Sequence, residues 1–65
     1  MKELSKVDTD ILRLLADGKS SKQIAGETEF SENFINNVRG RLMRKLRAMN
    51  TAQLVSEGYK QKILG

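Results

Sequence analysis

Hydrogen-bonding side chains are concentrated in the middle of this 65-residue chain. Asn33, Asn36 and Asn37 stand close together, and Arg44 and Arg47 follow them at helical spacing. An asparagine amide can donate to N7 and accept from N6 of adenine, whereas arginine suits phosphate or guanine. The pattern indicates a surface that reads nucleic acid, and we expect the three asparagines to contact bases.

Gly40 interrupts the same stretch four residues after Asn36. A glycine inside a helix costs about 1 kcal/mol relative to alanine. Either a partner approaches the backbone closely at this position or the glycine is merely tolerated, and the sequence leaves both interpretations open. We group Gly40 with the asparagines as an expected base-facing position.

The net charge of +4 is unevenly distributed. Residues 33–56 contain five basic residues and no acid, whereas residues 1–32 carry a net charge of −2. A positive field confined to one stretch indicates a polyanion or an acidic membrane surface as partner. Hydroxyls and N–H groups at a helix start can also hold phosphate. The expected phosphate-contacting residues are Ser20, Ser21, Lys22, Arg41, Arg44 and Lys45.

The composition excludes several kinds of chemistry. Without Cys or His there is no disulfide, no usual set of zinc ligands and no Ser-His or Cys-His catalysis. Asp8, Asp10 and Asp17 are interpreted as helix-end or surface charges. We therefore expect no enzyme, metal or cofactor. The sequence has no apolar run long enough for a membrane span and no apolar segment typical of a signal peptide. The expected location is therefore the cytoplasm.

The absence of Pro and the abundance of helix-forming residues predict an all-α fold, one domain over residues 1–65. Capping residues divide it into four helices that begin at Ser5, at Ser20 or Ser21, at Ser31 and at Asn50. We expect the helices to end at Gly18 and near residues 28, 47 and 63. The predicted core residues are Val7, Ile11, Leu14 and Leu15, with Leu12 beside them, then Ile24, Ala25, Phe30, Ile35, Val38, Leu42 and Leu46.

A short second helix, a turn and a longer basic third helix predict a helix-turn-helix over residues 20–47, with the third helix, about 31–47, in the major groove. The chain also resembles the LuxR-type, or GerE-type, DNA-binding domain of bacterial transcription regulators. That family's pattern Val-Leu-x-Leu-Leu-Ala-x-Gly stands here as Ile-Leu-Arg-Leu-Leu-Ala-Asp-Gly over residues 11–18. Its Ser-Asn-Lys-Glu-Ile-Ala stands as Ser-Ser-Lys-Gln-Ile-Ala over residues 20–25, and its closing Asn-Arg-Thr-Glu-Leu-Val as Asn-Thr-Ala-Gln-Leu-Val over residues 50–55.

The resemblance implies transcription regulation through double-stranded DNA and a tetrahelical fold. It also implies a homodimer through the fourth helix, about 50–63, and RNA polymerase or another regulator as a further partner. Because the fourth helix looks apolar at an exposed edge, the expected dimer residues are Leu54, Val55, Gly58 and Tyr59. The resemblance leaves open whether a sensory or receiver domain belongs to the native protein.

The departures from the family pattern concern the groove face. Asn36 replaces a lysine and Val38 replaces a histidine, so the predicted face is rich in amides and poor in charge. Its DNA site is expected to differ from typical family sites.

Three alternatives remain open. A helix-turn-helix can be a protein-interaction module that pairs with and inhibits another regulator. Region four of a sigma-type factor is also a basic helix-turn-helix, although the Gly18 stop fits the LuxR-type pattern better. A basic amphipathic membrane helix fits poorly, because residues 39–47 lack bulky aromatic residues.

Overall fold

The computed structural model describes residues 4–65. It contains four helices, α1 (Lys6–Ala16), α2 (Ser21–Glu27), α3 (Glu32–Leu46) and α4 (Thr51–Lys60), and no strand within the described range. The predicted all-α, four-helix fold is confirmed. Helices α2 and α3 form the helix-turn-helix, and both pack against α1, while α4 packs against α1 and α3.

Side-chain caps determine where the helices begin. The hydroxyls of Ser5 and Ser20 each accept the backbone N–H three residues ahead, and Asp8 and Gln23 complete the capping boxes. In the same way, the side chains of Ser31 and Asn50 each accept from the backbone N–H three residues ahead, at the starts of α3 and α4. All four predicted helix starts are therefore confirmed. In α4 the box is altered, because the side chain of Gln53 accepts from the backbone of Met49 instead of from Asn50.

Left-handed residues mark where three of the helices end. Gly18 has a φ of 88° after α1, Arg47 has a φ of 57° after α3, and Lys62 has a φ of 61° after α4. The predicted end of α4 near residue 63 is wrong, since the helix ends at Lys60. The chain turns back there, and the backbone N–H groups of Ile63 and Leu64 both donate to the carbonyl oxygen of Gly58, at 2.8 and 3.1 Å.

The core is a single apolar cluster shared by all four helices. Within residues 4–65 its buried members are Ile11, Leu12, Leu15, Ile24, Ile35, Val38, Leu42, Leu46 and Leu54. Leu12 lies inside this core and not beside it, because α1 contacts three other helices and buries a wide face. Leu14 and Ala25 are half-buried at the margin. Phe30 packs against the core and stacks on Phe34, with 4.7 Å between ring centroids.

The residues expected to form an exposed apolar edge on α4 are not all exposed, because two of them are buried. Leu54 is fully buried, because α4 packs against both α1 and α3. Gly58 is buried too, and a Cβ at this position would lie 2.8 Å from Cδ1 of Leu64 and 3.3 Å from Cδ2 of Leu12. The missing side chain of Gly58 thus allows a close approach by Leu64 and Leu12 of the same chain. Only the half-buried Val55 and the exposed Tyr59 remain accessible among the expected dimer residues.

Candidate nucleic-acid interface

One side of α3 is polar and open to solvent. Asn33, Asn37 and Arg44 are exposed, and Gly40 between them is half-exposed. Their spacing of four, three and four residues places them in one line along the helix, opposite the core residues of α3. We call these four residues the polar stripe. At 1.5 Å per residue the stripe is about 16 Å long, close to the length of five base-pair steps.

Gly40 is not required by the packing of the chain. Apart from its chain neighbours and the backbone of its own helix, a Cβ built on Gly40 would meet no atom of residues 4–65 within 4 Å, in contrast to one built on Gly58. The absence of a side chain instead leaves a low point in the middle of the polar stripe. The helix backbone could come closer to a partner at this point than at any residue that carries a side chain.

Asn36 does not belong to the polar stripe. It is half-buried, and its Oδ1 accepts a hydrogen bond of 2.6 Å from Oγ of Ser21 at the start of α2. Asn36 was expected to contact a base and Ser21 a phosphate, and the structure brings these two side chains into contact with each other. Helical spacing alone could not reveal this contact, because the relative placement of α2 and α3 decides it.

Asp8 is a helix-end charge, one of the two expected placements, and it is buried and not on the surface. Nη2 of Arg41 donates to Oδ1 of Asp8 at 2.6 Å, and Nζ of Lys45 lies 3.7 Å from Oδ2. The capping box turns the carboxylate back toward the start of α1, where these two cations of α3 neutralise it. Arg41 and Lys45, both expected to contact phosphate, therefore also hold α3 against α1.

Opposing effects determine the pKa of Asp8. Burial raises it, whereas hydrogen bonds from the Arg41 side chain and the Ser5 backbone lower it, as do the positive charges of Arg41 and Lys45. The lowering effects prevail, and the pKa lies below its ordinary value of 3.8. The carboxylate is consequently ionised at neutral pH, and the ion pairs with α3 persist there.

The other residues that were expected to contact phosphate differ in whether their side chains already have a partner within the described part of the protein. Lys22 on α2 and Arg44 on α3 are exposed, and neither forms an ion pair with any residue between 4 and 65. The hydroxyl of Ser20 is occupied by the backbone N–H of Gln23. Lys22 and Arg44 are thus the two expected contacts whose charges are not balanced within the described chain.

No helix in the described range, residues 4–65, has the length and apolar character that crossing a membrane requires.

The family of bacterial regulatory proteins of the luxR type, GerE, has a model that matches residues 2–57. The matched stretch includes the whole helix-turn-helix and α4 up to Glu57. Neither the curated proteins nor the solved structures contain a match to this chain. Because the family model covers most of the sequence, it confirms the resemblance of the motifs. The chain belongs to the luxR family of bacterial regulatory proteins, a family of DNA-binding helix-turn-helix regulators.

Proposed function

We propose that this chain regulates transcription by binding double-stranded DNA with α3 in the major groove. The observation that carries the proposal is the polar stripe, an exposed line of amides and one guanidinium interrupted by a glycine. A helix can lie in the major groove when one side is unhindered and ends in hydrogen-bonding groups. The absence of acids between residues 33 and 56 supports the same assignment, since it removes repulsion from the phosphates.

In the proposed interface, amide side chains contact the bases and positively charged side chains contact the phosphates. Asn33 and Asn37 contact base edges, because their amides are exposed on the part of α3 that would enter the groove first. Lys22 and Arg44 contact phosphates on either side, since their charges are not balanced within the described chain. Arg41 and Lys45 add to the positive field of α3, although both also lie close to the carboxylate of Asp8.

We further propose that the protein acts as a homodimer through α4. Val55 and Tyr59 are spaced four residues apart on one face, and Tyr59 is 56% exposed. Two copies joined there could occupy two half-sites of one operator, as helix-turn-helix dimers do. The buried Leu54 and Gly58 support this surface from inside and do not form it.

Binding to a random-sequence duplex at several salt concentrations tests the proposed function. Lys22→Ala and Arg44→Ala should each weaken binding to all duplexes alike and reduce the salt slope by about one unit, the loss of one phosphate contact. Arg13→Ala is the matched control, since it removes an exposed arginine from α1 and should leave the slope unchanged.

Absence of any binding to random duplex at low salt would contradict the proposal, because phosphate contacts alone give measurable non-specific affinity. That outcome would favour the protein-interaction module, which pairs with another regulator and needs no duplex.

A further inference from the structure

The hydrogen bond between Ser21 and Asn36 connects the two helices of the helix-turn-helix. Ser21 is the first residue of α2 and Asn36 lies in the second turn of α3, and both are half-buried. The distance of 2.6 Å between Oγ and Oδ1 is within the normal range for an O–H···O bond. Partial shielding from water strengthens such a bond relative to one on the open surface.

This bond competes directly with base reading by Asn36. A bidentate contact with adenine requires the amide oxygen and the amide nitrogen to face the same base edge together. Oδ1 of Asn36 is turned toward α2, where Ser21 donates to it. Its neighbour Asn37 is exposed on the polar stripe, where both ends of the amide can reach a base.

Both members of the pair occupy positions where the chain departs from the luxR pattern. Serine stands at position 21 in place of asparagine, and asparagine stands at position 36 in place of lysine. The two departures are 15 residues apart in the chain and meet in the fold. Two short, uncharged side chains that hydrogen-bond to each other, Ser21 and Asn36, thus replace the asparagine and the longer, positively charged lysine of the family pattern.

We propose that Asn36 is a positioning residue, which fixes α3 against α2 through Ser21, and that Asn37 carries the base discrimination. This inference rests on the proposed DNA-binding function. With the bond intact, α3 is held at one angle to the bracing helix, so Lys22 on α2 and Asn37 on α3 meet the duplex together. Loss of the bond loosens that angle and weakens every contact of α3 equally, without changing which base is preferred.

Affinities for a duplex selected from a random pool, and for its single-base variants, test the proposal. Ser21→Ala and Asn36→Ala should each weaken binding to the selected duplex by roughly three- to tenfold, the value of one hydrogen bond. The order of preference among the single-base variants should not change. Ser21→Thr retains the hydroxyl and should bind as wild type does.

The double variant Ser21→Ala/Asn36→Ala should bind no more weakly than either single variant, because each change breaks the same bond. Asn37→Ala should instead abolish discrimination at one base pair, by roughly five- to 150-fold. If Asn36→Ala loses discrimination at one base pair while Ser21→Ala does not, Asn36 reads a base and the proposal is wrong.

Urea unfolding of the same variants separates this inference from the proposed function. The double variant should unfold at the same urea midpoint as the single variants, whether or not the protein binds DNA. Additive shifts of the midpoint would show that the two side chains act independently, and the positioning role would then be excluded. Failure to bind any duplex, with non-additive midpoints, would instead contradict the DNA-binding function alone.

Discussion

Neighbouring residues on α3 have different roles because they face different surroundings. Asn36 and Asn37 have the same side chain, yet one is hydrogen-bonded to Ser21 and half-buried while the other is exposed. Gly40 and Gly58 differ in the same way, since the Cβ position of Gly40 faces open space and that of Gly58 lies against the side chain of Leu64. At the scale of single residues, the environment supplied by the fold decides the role that a residue type can take.

Gly40→Ala distinguishes the two interpretations of that glycine. A methyl group at position 40 meets no side chain of the described residues, so the substitution should raise the free energy of unfolding by about 1 kcal/mol. Specific DNA binding should weaken, because the methyl group fills the low point of the polar stripe. Thermal unfolding and duplex titration measure the two effects. Unchanged binding with raised stability would mean that the glycine is merely tolerated.

Asp8→Asn should lower the free energy of unfolding by about 1–2 kcal/mol at neutral pH, because Arg41 and Lys45 lose their common anion. The expected loss is small for a buried carboxylate because solvent screens the Arg41 side chain, which is 45% exposed. Asp10→Asn removes an exposed ion pair with Lys6 and serves as the control, with little change expected.

The same pair of variants tests the pH dependence. The folded pKa of Asp8 lies below its ordinary value of 3.8, so its contribution to stability is complete above that value. It is lost as the pH falls through the folded pKa, when the carboxylate becomes protonated in the native state. Wild-type stability should therefore fall relative to Asp8→Asn in this acid range. Parallel pH profiles for the two proteins would contradict the assigned ion pairs.

Helix starts could be predicted from sequence more reliably than helix ends. Each start depends on a local contact, such as Ser5 with Asp8 or Ser20 with Gln23, and three-residue spacing reveals it. The end of α4 depends on a fold-back in which Lys62, not a glycine, takes the left-handed conformation. No residue type in the sequence signals that turn, and the predicted end of the helix therefore lies beyond it.

Lys62→Gly should raise the free energy of unfolding by about 0.5–1 kcal/mol, because glycine adopts a φ near 60° without steric cost. Lys60→Gly, two residues earlier and still within α4, should lower it by about 1 kcal/mol. Chemical denaturation compares the two variants. Stabilisation by both, or by neither, would mean that α4 does not end where the structure has it.

Tyr59→Glu tests the proposed role of α4 in dimerisation. A charge in the middle of an apolar contact surface should abolish self-association, whereas Tyr59→Phe retains the ring and should preserve it. We expect sedimentation to show a weak wild-type dimer that a duplex with two half-sites strengthens. A wild-type monomer at high concentration, bound singly to every selected site, would contradict the proposed dimer.

At the scale of the whole molecule, the fold was predictable and the long-range contacts of the site were not. Apolar spacing along α3 is enough to identify Ile35, Val38 and Leu42 as core residues, and all three are fully buried. The exposed amide of Asn37 also followed from its position on the helix. The partners of Arg41 and Asn36, however, lie 33 and 15 residues away in the chain. Such contacts depend on how whole helices pack, which periodicity along one helix does not encode.

An NMR titration of the isotope-labelled protein with a short duplex tests the central claim most directly, because it reports which surface the DNA touches. We predict that the side-chain amide signals of Asn33 and Asn37 and the backbone signals of Gly40, Arg44 and Lys22 shift together. Signals of Arg13 on α1 should stay in place. Shifts confined to other faces of the domain, with the polar stripe unaffected, would contradict the proposed binding mode.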